Sequence, residues 1–203
     1  MASYAYTCKC DLGRAIEYGE LAVEKAQDPW NKAMAGGVLA WALCRSGELG
    51  KGVEILAETV RMFCAARYVF GQIMHGIALG EGHWLSGEYD KARETLEAAL
   101  ERAEGYGARP VVGQARRLLG EVALKTGPTE ALPHFEKAVS ILQEIRAENE
   151  LALAYAGMGR LHKQEGDQEK ARRYLTQALE IFERLGTLLE PDKVRKELAE
   201  LPG

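Results

Sequence analysis

Four histidines and four cysteines are the residues of this sequence best suited to hold a metal or move a proton. Their spacing argues against both roles. His75 and His83 share one helical stretch but stand eight apart, so no pair at i and i+4 can present two imidazoles to one zinc ion. No HExxH, CxxC or carboxylate cluster accompanies them. His134 falls near a helix start and is expected to be exposed. Cys8, Cys10, Cys44 and Cys64 are too few and too irregular for a disulfide framework. Cys8 and Cys10, two positions apart, would point away from each other on a helix, so reduced thiols in a cytoplasmic protein are expected. A phosphate loop needs GxxxxGK followed by Ser or Thr. Gly47, Gly50, Lys51 and Gly52 have the wrong spacing, and Gly80-Glu81-Gly82 lacks the third glycine of a dinucleotide fingerprint and follows a helix, not a strand. No serine or cysteine has a base partner close in sequence. The expectation is a chain with no catalytic residue, no metal and no cofactor.

Composition narrows the class further. The chain has 203 residues, 47% of them hydrophobic and 28% charged, with a net charge of −4. That is ample for a buried core. It has neither the basic face of a phosphate-backbone binder nor a charged tail, so no nucleic-acid partner is expected. The uncharged stretch from Ala33 to Cys44 is far short of the roughly 20 residues a membrane helix needs. The first residues, MASYAYTCKC, lack the apolar segment of a secretory signal.

What positions every other residue is a repeat. Four segments superpose: SGELGKGVEILAETV, SGEYDKARETLEAAL, TGPTEALPHFEKAVSIL and EGDQEKARRYLTQALEIF. Their turn glycines, Gly47, Gly87, Gly127 and Gly166, fall at steps of 40, 40 and 39. A small residue follows (Gly52, Ala92, Ala131, Ala171), then a large apolar one (Leu56, Leu96, Phe135, Leu175), then another small one (Thr59, Ala99, Ala138, Ala178). This is one face at helical spacing. A deletion after Gly127 accounts for the slip, and CDLGRAIEYGELAVEKA opens the chain as a weaker copy with Ala15 and Ala22 in place. Seven residues before each turn glycine stands Ala40, Gly80, Gly120 or Gly159, inside a second helical pattern. A glycine there costs roughly 1 kcal/mol relative to alanine, so close approach of a neighbouring helix must offset it. The turn glycine then supplies a left-handed cap.

The pattern resembles the tetratricopeptide repeat. The matching residues are Leu119, Gly120, Gly127, Ala131, Phe135 and Ala138 in one copy, and Met158, Gly159, Gly166, Ala171, Leu175 and Ala178 in the next. The resemblance implies an all-α, right-handed α-solenoid of antiparallel helix pairs. The family's usual step is 34 residues, so a step of 39–40 implies second helices longer by about a turn and a half. The family's first-helix tyrosine is replaced by Leu43, His83, Ala123 and His162, and the two histidines are expected as hydrogen-bonded, partly buried imidazoles. In the first full repeat Ala40 and Gly52 stand where glycine and alanine are expected. The longer repeat is similar to the C-terminal arrays of bacterial signalling ATPases and adenylyl-cyclase-like regulators.

The layout that follows is one solenoid over 1–203. It comprises a partial repeat at 1–28, full repeats at 29–67, 68–108, 109–148 and 149–188, and a capping helix at 189–203. Helices are predicted near 2–9, 12–26, 30–45, 49–65, 68–85, 89–104, 110–125, 130–146, 149–165, 168–185 and 190–199. Pro29, Pro110, Pro128 and Pro191 fall at helix starts or connections, whereas Pro133 lies inside one and requires a late or irregular start. The chain begins partway into a first helix with no cap of its own, which suggests a fragment of a longer polypeptide and self-association through that end.

Stacked pairs present their first helices on a concave face. Helical phase assigns Met34, Trp41, Arg45, Met74, Ile77, Glu81, Trp84, Gln114, Arg117, Glu121, Lys125, Arg160 and Lys163 to it. One end is rich in Trp and Met, and the other carries more cations than acids. Trp and Arg anchor interfaces and Met adapts to apolar surfaces. The expected occupant is a protein or peptide with apolar and acidic groups, held by a non-catalytic scaffold. The alternative is a small-molecule sensor acting on an adjacent ATPase or cyclase domain. A two-carboxylate clamp for chaperone C-termini is not expected, because Asn31 and Asn149 both lie off this face.

Overall fold

A computed structural model describes residues 1–202. Among them are eleven α-helices and no strand. In order these are α1 (Ala2–Cys8), α2 (Leu12–Lys25), α3 (Pro29–Ser46), α4 (Leu49–Ala65), α5 (Val69–Leu85), α6 (Tyr89–Tyr106), α7 (Arg109–Thr126), α8 (Ala131–Glu144), α9 (Glu148–Glu165), α10 (Gln168–Leu185) and α11 (Glu190–Ala199). They form two compact units, Met1–Gly105 and Tyr106 onward. Each unit is a stack of antiparallel helical hairpins, so the fold is an all-α solenoid. The first helices of the four full repeats run 17–18 residues and the second helices 14–18. The extra repeat length is therefore not confined to the second helices.

Local chemistry sets the boundaries. Asp28 accepts from the Asn31 amide at 2.8 Å and Pro29 opens α3, where its missing N–H costs nothing. Gly47, Gly87 and Gly166 take the left-handed conformation that closes a first helix, with the next amide returning to Leu43, His83 or His162. Gly127 departs from that expectation. Its φ is −172°, an extended conformation, and a 3-10 turn at Pro128–Glu130 leads into α8. Pro133 then sits within the first turn of α8, where its amide would have had no partner in any case.

The core contact is the one that the glycines predict. In the first unit, a Cβ built on Gly80 would lie 2.5 Å from Leu96 Cγ. In the second unit, one on Gly120 would meet Phe135 at 2.7 Å and one on Gly159 would meet Leu175 at 2.6 Å. Leu96, Phe135 and Leu175 are completely buried, each worth about 1.5–3 kcal/mol relative to exposure. In α3–α4 the roles are exchanged. Ala40 occupies the first helix, and a Cβ on Gly52 would reach Cys44 Sγ at 2.4 Å and the Ala40 carbonyl oxygen at 2.8 Å. The missing methyl has moved to the partner helix, and the helices still approach closely.

Candidate binding face of the first helices

Residues one repeat step apart on successive first helices are brought together within each unit. In the first unit, Trp41 on α3 donates its indole N–H to Glu81 Oε2 on α5 at 2.6 Å, and both side chains are buried. A carboxylate withdrawn from water needs such a donor. Burial, with Glu81 close by, pushes the Cys44 thiol up to about 12, which keeps it protonated and unreactive. Arg45 lies 5.7 Å from the Trp41 ring and donates to Cys10 Sγ at 3.4 Å. Tyr4 of α1 packs on the same indole at 5.4 Å. Ile77 is buried, while Met34, Met74 and Trp84 are half-buried. Trp41, Ile77 and Glu81 thus build the face from beneath, and Arg45, Met74 and Trp84 remain accessible.

In the second unit the same column is ionic. Glu121 on α7 accepts from Arg160 on α9, which also donates to Glu197 on α11 at 3.2 Å. Burial alone would lower the Arg160 guanidinium pKa, but the two carboxylates reverse this and hold it above its ordinary value. Arg117 is buried and donates to Glu150 at 2.8 Å. Lys163 reaches Glu200 at 2.8 Å, Gln114 is half-buried and Lys125 is exposed. The surplus of cations read from sequence is therefore largely neutralised by glutamates that the phase argument did not select. Glu150, Glu197 and Glu200 stand 33, 37 and 37 residues from their partners, separations that match no repeat step.

His83 Nδ1 lies 2.7 Å from Glu88 and His162 Nδ1 lies 2.8 Å from Glu165, the hydrogen-bonded states expected of them. His134 is half-buried rather than exposed. His75 is buried in the space that Gly37 leaves, with Nδ1 2.9 Å from the Gly71 carbonyl oxygen. Burial holds its pKa below the ordinary value. Among the described residues no three His, Cys, Asp or Glu side chains gather as metal ligands do. No helix there is long and apolar enough to cross a membrane.

Comparison with known proteins agrees with this geometry. Tetratricopeptide-repeat family models match residues 74–98 and 128–184. No curated protein matches by sequence. The crystal structure of BtubC (BKLC) from P. vanneervenii is similar with a TM-score of 0.71 at 20% identity, over 94% of this chain and 82% of that one. Aspartyl phosphate phosphatase F from Bacillus subtilis is similar with a TM-score of 0.72 at 15% identity, over 95% and 53%. Nearly identical TPR-like repeats from Podosopora anserina give 0.60 at 18% identity, over 90% and 92%. These identities show a shared fold. Stacked hairpins, glycines placed against large apolar residues and two matched stretches lead to one conclusion: residues 74–98 and 128–184 are tetratricopeptide repeats, and the chain folds as a solenoid of that kind.

Proposed function

We propose that the chain is a non-catalytic scaffold for protein–protein interaction, and that its first helices present the binding face. The carrying observation is the first unit's combination of accessible Met74 and Trp84 with an Arg45 guanidinium held over an indole. Such a surface suits a partner segment that has an apolar side chain beside a carboxylate. Trp41 and Glu81 stiffen it from below, so little ordering cost falls on binding. The repeat length supports a place in a larger bacterial signalling protein of the cytoplasm.

The test is affinity capture read by mass spectrometry, comparing wild type with a Met74→Ser, Trp84→Ala double variant whose helicity is checked by circular dichroism. A partner lost only from the folded variant is the expected result. Equal capture by both would sink the assignment of this face. Arg117→Glu is a poor choice for this test, because it would strand Glu150 and unsettle the fold.

A further inference from the structure

Within the second unit, α8 and α10 both pack on α9, and a groove of about 470 Å³ lies between them. Glu136 and Gln143 line it from α8, Arg173 and Tyr174 from α10, and Tyr155 and Met158 come up from α9. The volume falls within the range of small-molecule sites. The rings are held in place. Gln143 Nε2 donates to Tyr155 Oη at 2.6 Å, and the Tyr155 ring lies 6.0 Å from that of Tyr174. Beyond Tyr174 stands His162, stacked nearly parallel at 5.5 Å and itself fixed by Glu165. The Arg173 guanidinium carbon is 4.8 Å from the Tyr174 ring centre, which leaves its N–H groups for an acceptor.

Two features mark this groove as more than a seam between helices. Glu136 and Arg173, on opposite sides of it, are exposed, and neither has an ion-pair partner among the described residues. The repeat also does not call for the side chains found here. Two repeat steps earlier, in the register that sets Phe135 on Leu56, Gly159 on Gly80 and Leu175 on Leu96, the first unit has Gly76 for Tyr155 and Thr95 for Tyr174. It has Ala57 for Glu136 and Glu94 for Arg173. The same hairpin contact thus forms without either ring and without this pair of opposite charges.

We propose that the groove binds a free aromatic amino acid, with its carboxylate on Arg173, its ammonium on Glu136 and its ring against Tyr155 and Met158. Arg173 offers a planar fork that suits a carboxylate. Glu136 supplies the opposite sign, which a ligand carrying only a carboxylate would leave unused. Tyr155 presents a ring to stack on, and the Met158 thioether packs favourably with an aromatic edge. None of these residues belongs to the binding face of the proposed scaffold, so the two readings stand or fall separately.

Isothermal titration calorimetry of the full chain with L-phenylalanine tests this. Saturable binding is expected, with L-alanine, L-phenylalanine amide and N-acetyl-L-phenylalanine each weaker on the order of tenfold or more, for want of the ring, the carboxylate or the ammonium. Arg173→Gln and Glu136→Gln, both at exposed positions, should leave helicity unchanged. Arg173→Gln should weaken L-phenylalanine on the order of tenfold without further loss for the amide. Glu136→Gln should do the same for L-phenylalanine without further loss for the N-acetyl form. No saturable binding, or binding indifferent to both variants, overturns the proposal. So does N-acetyl-L-phenylalanine binding as tightly as L-phenylalanine with Glu136→Gln silent, which would make the ligand the carboxyl-terminal residue of a protein.

Discussion

Where a first helix starts beside the end of its own second helix, the two units use different chemistry at matching repeat positions. The second unit places Arg109 with Glu144 and Glu148 with Arg184. One repeat step and two steps earlier, the first unit has Val69 with Gly105 and Pro29 with Ala65. Rings gather there instead. Trp30 lies 5.0 Å from Phe63 and 4.7 Å from Tyr68, and Phe70 lies 6.2 Å from Tyr68. The first-helix column shows the same contrast, with an indole on Glu81 in one unit and a guanidinium on Glu121 in the other. The hairpin contact is held constant by glycine against a large side chain, while the adhesion between repeats is free to be aromatic or ionic.

The largest effects should come from what the units share. Gly80→Leu and Gly120→Leu each force a side chain into Leu96 or Phe135, and each should cost about 3 kcal/mol in urea unfolding. A large cost in one unit with tolerance in the other would break the comparison at its base. Next comes the column. Glu121→Gln leaves Arg160, a third exposed, with only Glu197, and should cost about 2 kcal/mol, short of a fully buried pair. Glu81→Gln can still accept from Trp41 and should cost about 1 kcal/mol or less. Equal costs would mean that the indole and guanidinium contacts are interchangeable. Arg67 and Arg146 hold left-handed backbone, φ 53° and 56°, where glycine is at ease. Replacing either with glycine should add about 0.5 kcal/mol, alike in both units.

The smallest effect should separate the units by pH. His75 has its pKa lowered by burial, so the unfolded chain binds its proton first. That contribution is complete above about pH 6.5 and declines as pH falls below it. Glu144 and Glu148 are held low by hydrogen bonds from Arg109 and Arg184. Their contribution is complete above about pH 4.3 and is lost only as pH falls further. Hydrogen exchange followed by peptide mass spectrometry should show the first unit weakening at the higher pH, with His75→Gln flattening that slope. Simultaneous weakening of both units would remove the pH distinction.

Most of the fold was legible in the sequence, because helical period and repeat step are properties read along the chain. Gly80, Gly120 and Gly159 announced their contacts, and the helix ends fall within two residues of expectation. Pro133 announced the irregular start of α8, although the extended backbone at Gly127 did not follow from its alignment with Gly47 and Gly87. The site was less legible. Phase placed Trp41 and Glu81 in one column without revealing that they bond and leave the surface. Arg117 looked free because Glu150 approaches it from another helix, at a separation unrelated to the repeat step. Exposure on such a face depends on neighbours such as α1 and α11, whose positions periodicity does not encode.

Within each unit, helices pack mainly on their neighbours in sequence, as the hairpins α3–α4 and α9–α10 illustrate. Native contacts of that kind close short loops, so little chain entropy must be surrendered before the first contact rewards it. Folding can therefore begin at any hairpin and spread to the next, and a terminal pair can open while its neighbour stays shut. A partner that grips one hairpin can be admitted or released by local opening, without the rest of the unit having to melt.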